Sequence, residues 1–327
     1  MKCQWCGFES DNIDDFEEDF KYHKGFWCPY CDGFTFYEGK EDYSLYNLIL
    51  EEEGEEIKVK KQLTFDKHIS PLRYPGGKSK LIDYIYNQLD TNKKTFVEAF
   101  CGGASVSLAM LKAGVVDHIV LNDLDFGIYS LFNSIIYDTE WLVQVIHNIN
   151  PSKELYFNKR ATILSNYKNT TEREAALAML IVNRMAFSGI IKANPMNDLK
   201  SRWNPEKLIK RIKWIAGQRN HITLLNQPAK AIIKEYYWSN NNTLFIDPPY
   251  YKKGKSLYNL YYTERQHEEL AELLNSLYVS FPGCADVIVT YDNDPFIKEL
   301  YPLSSVKEIG RIFSISNKKY LCELSSS

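Results

Sequence analysis

Thr95-Phe-Val-Glu-Ala-Phe-Cys101-Gly-Gly-Ala-Ser105-Val is the stretch whose reading decides the fold. Its first half is a short run of apolar and aromatic residues, the pattern of a buried strand. Cys101-Gly-Gly then makes a turn with no side chains to hold a ligand away, and Val106 to Leu111 continue as an apolar helix. Strand, glycine turn and helix form the front of a Rossmann-like unit. Beyond it, His118-Ile-Val-Leu-Asn-Asp123 reads as a second short strand. It ends in a carboxylate about twenty residues past Gly102, a position from which ribose hydroxyls are reached. A nucleoside ligand is therefore favoured. The turn is not G-x-G-x-x-G, which argues against a dinucleotide whose pyrophosphate rests on the helix N-terminus.

Working outward, Pro71-Leu-Arg-Tyr74-Pro-Gly76-Gly77-Lys78 is a glycine turn feeding a helix marked by Leu81, Ile82, Ile85 and Leu89 at helical spacing. Downstream, Thr243-Leu-Phe-Ile-Asp247-Pro248-Pro249-Tyr250 is another buried strand ending in a carboxylate. Two prolines remove two amide donors and stiffen the chain, leaving fixed carbonyl acceptors. That set suits an exocyclic amine: Asp247 and the Pro248 carbonyl receive its two N–H groups while the Tyr250 ring stacks on the base. The plainer alternative is an ordinary Pro-Pro loop. Lysines alternate with aromatics from Tyr250 to Tyr262, as in a loop closing over an extruded base, and a helix starts at Thr263 with Gln266 completing a capping box. His267 reads as structural.

Taken in order, Arg73-Tyr-Pro-Gly-Gly-Lys78, Phe96 to Val106, Leu121-Asn-Asp123 and Asp247-Pro-Pro-Tyr250 resemble the motifs of the DNA adenine methylase (Dam) family, over residues 71 to about 324. The resemblance implies an α/β fold: a Rossmann-like methyltransferase core, S-adenosylmethionine as methyl donor, and an inserted, mainly helical target-recognition domain. It places Tyr74, Gly76, Gly77, Lys78, Glu98, Phe100, Gly102, Asp123 and Asp247 around the cofactor, with Ala104 where the family often has a third glycine. Asp247, Pro248, Pro249 and Tyr250 become the catalytic set for direct transfer, without a covalent intermediate, to N6 of an adenine flipped out of double-stranded DNA. A cognate restriction enzyme is a further possible partner, and a monomer is expected.

Chain length agrees with an insertion, since the segment between Asp123 and Asp247 is far longer than one strand and helix need. The expected organisation is a core of residues 57–140 and 228–327 around a recognition insertion of residues 141–227. Asn183-Arg-Met-Ala-Phe-Ser-Gly-Ile resembles the family's recognition signature, and the densest basic cluster follows it. Arg184, Lys200, Arg202 and Lys207, with Lys252, Lys253 and Lys255 of the later loop, are the expected DNA contacts, more securely to phosphates than to bases. The solvated face of a helix beginning after Asn204-Pro205 is the alternative for the cluster.

The 327 residues carry a net charge of -3, with 45% hydrophobic and 25% charged residues, which excludes a disordered or fibrous chain. That small net charge hides an asymmetry: residues 1–70 hold 17 acidic against 8 basic side chains, leaving a basic remainder. Four of the seven cysteines fall in two C-x-x-C pairs, Cys3 with Cys6 and Cys28 with Cys31, the spacing of a structural zinc ribbon. Residues 1–56 are therefore expected to be a zinc-ribbon module with an acidic linker. No run of roughly eighteen apolar residues and no leader pattern is present, so a cytoplasmic protein without membrane association is expected. Two alternatives stay open: methylation of another planar amine, such as cytosine N4 or an RNA adenine, and a zinc-ribbon nucleic-acid binder with a vestigial methyltransferase core.

Overall fold

Strands that are apolar on every residue need cover on both faces, and alternate side chains of one strand must go to opposite covers. The computed structural model describes residues 63–73, 77–252 and 254–302, together with strands at 17–19, 25–27, 34–36, 305–313 and 317–325. The chain divides into two compact units, Met1–Lys61 and Gln62–Ser327. In the first, β1 (Glu17–Asp19), β2 (Gly25–Trp27) and β3 (Phe34–Phe36) form an antiparallel sheet. Cys3, Cys6, Cys28 and Cys31 lie outside the described residues.

The second unit is built on seven strands: β4 (Thr95–Glu98), β5 (His118–Asn122), β6 (Ile222–Leu225), β7 (Asn242–Ile246), β8 (Asp286–Asp292), β9 (Ser305–Phe313) and β10 (Asn317–Ser325). Their order is β6-β5-β4-β7-β8-β10-β9; the first five are parallel and β10 joins antiparallel between β8 and β9. This is the expected α/β architecture with a parallel sheet.

One face, with Phe96, Ile119, Leu121 and Phe245, packs on α1 (Ile82–Gln88), α2 (Ser105–Lys112) and α3 (Phe126–Tyr137). The other, with Val97, Val120, Leu244 and Ile246, packs on α9 (Ala229–Tyr236), α11 (Glu264–Ser280) and α12 (Pro295–Leu300), the short α10 (Gly254–Leu257) falling between α9 and α11 in the chain. Phe96 and Val97, adjacent in the chain, thus serve different cores. Each such side chain contributes about 1.5–3 kcal/mol by leaving water.

Between α3 and β6 come α4 (Thr139–Asn148), α5 (Lys153–Leu164), α6 (Glu172–Met185), the short α7 (Leu199–Arg202) and α8 (Pro205–Gly217). Their starts are chemically marked. Thr171 and Glu174 form a reciprocal capping box on α6, and Asn204 caps α8 ahead of Pro205. Ile146, Tyr156, Met179, Leu180, Ile212 and Ile215 continue the same apolar cluster that covers β4 and β5. A polar tie adds to it: the Tyr167 hydroxyl donates to Asp125 Oδ1 at 2.7 Å. A Cβ on Gly127 would lie 2.1 Å from that hydroxyl, which is why the first turn of α3 carries a glycine. As expected, α11 is capped by Thr263 with Gln266. No helix among the described residues is long and apolar enough to cross a membrane.

Candidate active site

After β4 the chain moves outward to β5 and β6, then returns across β4 to begin β7. The C-terminal ends of β4 and β7 therefore flank a topological switch point, the position at which open parallel sheets hold ligands. A cleft of about 1260 Å³ opens there, and the carboxylates that end β4, β5 and β7 all line it: Glu98, Asp123 and Asp247.

At the end of β4 the glycine turn bends through two left-handed residues, Gly102 (φ 48°) and Ala104 (φ 51°). Ala104 adopts the backbone that a third glycine would adopt more freely, so the substitution leaves the turn's course intact at a cost of order 1–2 kcal/mol. The Gly102 N–H donates to Asp123 Oδ2 at 2.8 Å and the Asp125 N–H to Asp123 Oδ1 at 2.9 Å. Glu98 accepts the Ser107 N–H on Oε1 at 3.3 Å, while its buried Oε2 has no hydrogen-bond partner among the described residues. Burial, with the charges of Asp247 and Asp123 adding to it, pushes the Glu98 carboxyl up to about 8. Burial and then the neighbouring Asp125 carboxylate push Asp123 up to about 7.

At the end of β7, Asp247 receives the Lys78 ammonium and, at 2.8 Å, the Thr290 hydroxyl, both on Oδ1. Lys78 is buried, and its ammonium also sits 5.2 Å from the centre of the Tyr250 ring. Tyr250 is buried too and meets Tyr258 edge-on. Just past it, the Tyr251 and Lys252 N–H groups donate to the two oxygens of Asp292, which ends β8 and sets the course of this segment.

The far wall of the cleft is basic. Arg73, Arg184, Arg202, Lys207 and Arg211 line it. Arg184 is pushed down to about 10, first by burial and then by Arg73, Arg211 and Arg202. Its guanidinium donates to the Arg202 carbonyl at 3.3 Å and Arg211 donates to the Ser70 carbonyl at 3.1 Å. Backbone carbonyls thus aim both groups, and among the described residues no carboxylate forms an ion pair with any of the four arginines. Asn183, fully buried at the end of α6, ties this wall to the loop carrying Lys78. Its Oδ1 accepts the Arg73 N–H at 2.7 Å and its Nδ2 donates to the Arg73 carbonyl at 3.3 Å.

Gly77, Lys78, Glu98, Phe100, Gly102, Asp123, Asp247, Pro249, Arg184, Arg202 and Lys207, all expected from the sequence, therefore surround one cleft. Pro248 and Tyr250 are buried beside it. Lys200 and Lys255 are exposed outside its lining, and Lys252 is held by Asp294 at 2.5 Å. Tyr74, Gly76 and Lys253 lie outside the described residues. Sequence reasoning passed over Thr290, Ser70 and the role of Asn183. The last had a visible signal in its motif; Thr290 had none, because it ends no pattern.

Residues 74–315, more than half of the chain, match the family described as D12 class N6 adenine-specific DNA methyltransferase. A DNA adenine methylase of Haemophilus influenzae is 21% identical over 267 residues, covering 76% of this chain and 88% of that protein. The type II methyltransferase M.CviBI of Paramecium bursaria Chlorella virus NC1A is 23% identical over 263 residues, covering 78% and 92%. With strand-end carboxylates, glycine turn and Asp-Pro-Pro-Tyr segment gathered at one switch point, the chain belongs to the D12 class of N6 adenine-specific DNA methyltransferases, enzymes that methylate adenine N6 in DNA.

Proposed function

We propose that the chain acts at a specific sequence in double-stranded DNA, on an adenine turned out of the duplex into the cleft. Asp247 Oδ2 and the Pro248 carbonyl take the two N–H groups of the exocyclic amine. Adenine N6 is a poor nucleophile because its lone pair is delocalised into the ring. Two acceptors at the end of a rigid strand favour the pyramidal nitrogen and aim that lone pair. Tyr250, anchored by Lys78 and Tyr258, bounds the base. Extrusion costs a few kcal/mol, and the contacts inside the cleft offset it.

S-adenosylmethionine, when bound, supplies an electrophilic methyl group on a sulfonium. The residues on the β4 and β5 side fit such a cation. Glu98 offers a buried acceptor atom with no partner among the described residues, and Asp123 stands at the strand end from which ribose hydroxyls are reached. Tyr74, Gly76, Gly77, Phe100 and Gly102 would complete that side. Lys78, which the family resemblance allots to the cofactor, has its ammonium on Asp247 and so also serves the amine side. Arg73, Arg184, Arg202, Lys207 and Arg211 meet DNA phosphates at the mouth of the cleft. A structural zinc on Cys3, Cys6, Cys28 and Cys31 stabilises the N-terminal unit, and a cognate restriction enzyme is the partner the type II relative suggests.

The observation carrying this reading is the convergence of Glu98, Asp123 and Asp247 on one cleft whose opposite wall is arginine-rich. Its test is Asp247→Ala. Methyl transfer is expected to fall by at least about a hundredfold, the scale of losing one aimed polar group, while cofactor affinity by calorimetry stays within a few-fold. A variant that methylates at the parent rate sets the reading aside. Long-read sequencing of DNA from a methylation-free host expressing the parent protein identifies the target sequence.

A further inference from the structure

β7 and β8 run parallel with Ile246 opposite Val289, so the next residue along each strand, Asp247 and Thr290, fall side by side. Thr290 is fully buried. Its hydroxyl donates to Asp247 Oδ1 at 2.8 Å, and the Lys78 ammonium goes to the same oxygen. Both donors therefore converge on Oδ1. Oδ2 has no partner among the described residues, and the carboxylate lines the cleft. Turning the carboxylate about its Cβ–Cγ bond would break both contacts at once. One donor alone leaves it free to rock; two donors from different elements fix its plane.

We propose that Thr290 is a positioning residue for methyl transfer: it locks the Asp247 carboxylate so that Oδ2 alone is presented to the amine of the target base. The inference rests on the reading that Asp247 receives that amine. Lys78 supplies charge at Oδ1, from the end of a buried four-carbon stem. Thr290 supplies direction, because a β-branched side chain on a central strand has little rotamer freedom. A neutral hydroxyl constrains Oδ1 while drawing less electron density from the carboxylate than a second cation would, which keeps Oδ2 a good acceptor for the amine.

The test compares Thr290→Val, which keeps the shape and removes the donor, with Thr290→Ser, which keeps the donor. Single-turnover methyl transfer on a duplex carrying the target is the readout, beside cofactor affinity by calorimetry and DNA affinity. Thr290→Val is expected to slow transfer by about ten- to a hundredfold, the effect of small misplacement at a reacting centre. Both affinities should stay within about twofold, and Thr290→Ser should recover most of the rate. Thr290→Ala replaces valine if the melting temperature shows that valine disturbs the fold. Parent-like transfer by the valine variant, while Asp247→Asn is inactive, overturns the role of Thr290 and leaves the reading of Asp247 standing. Equal loss in the serine and valine variants also overturns it, because packing would then be the cause. Parent-like transfer by Asp247→Asn removes the reading beneath both.

Discussion

Glu98 and Asp123 end adjacent parallel strands and are both pushed up the pH scale, Glu98 from 4.5 to about 8 and Asp123 from 3.8 to about 7, burial being the larger cause in each. The folded chain without ligand therefore holds protons that an unfolded chain has released. Their contribution to stability is fully present below the ordinary carboxylate range and is lost as pH rises through about 7 to 8. A cationic ligand beside them reverses the shift, so its binding expels protons and its affinity rises from about pH 6 to about pH 8. Calorimetry of S-adenosylmethionine binding in two buffers of different ionisation heat measures the proton count. Glu98→Gln is expected to remove much of it. Proton uptake, or no exchange, would take Glu98 out of the cofactor's surroundings. The carboxylates themselves were legible in the sequence because each ends a short apolar run, a pattern local to a few residues. Thr290 was not. Its meaning comes from β7, reached through strand pairing that no local pattern encodes.

Among the elements, the contact between the end of α6 and the loop before Lys78 decides most. Asn183 holds both the N–H and the carbonyl of Arg73, and Gly189, at φ +73°, passes so close that a Cβ there would lie 1.8 Å from the Arg73 carbonyl oxygen. Helix α6 and the turn after it thus position the loop that carries Lys78 to Asp247. Asn183→Ala leaves buried polar groups unpaired and is expected to cost about 1–3 kcal/mol in chemical denaturation. Gly189→Ala adds backbone strain to steric overlap and should slow single-turnover transfer by about tenfold or more, with cofactor affinity reduced less. Equal activity in both variants would mean the loop finds its place without α6. The starts of α8 and, on the other face of the sheet, of α11 were legible, since Asn204-Pro205 and Thr263 with Gln266 are chemical signals confined to one turn. What α6 does was half legible: the Asn183 to Gly189 motif stood out, but its partner Arg73 is 110 residues away in the chain.

Over the whole molecule, charge is divided by unit. Residues 1–61 hold 16 acidic against 7 basic side chains, while the cleft of the second unit carries four arginines that form no ion pair with any described carboxylate. Holding guanidinium groups near one another costs electrostatic energy; burial first, and the neighbouring arginines second, lower both Arg184 and Arg73 from the ordinary arginine range. A DNA phosphate relieves that repulsion on arrival, so each of these arginines should appear in the salt dependence of binding. Arg184→Gln and Arg211→Gln are each expected to reduce the slope of log affinity against log salt by about one, with weakening on target and non-target duplexes alike. Removing residues 1–61 should leave that slope unchanged and raise affinity slightly, since an acidic unit repels the backbone that the cleft attracts. A large loss of affinity with a shallower slope in the truncated protein would instead make the N-terminal unit a phosphate contact, with Lys21 and Lys24 the cations to replace next. The two results cannot be confused, because the arginine variants change the slope within one unit and the truncation asks whether the other contributes to it at all.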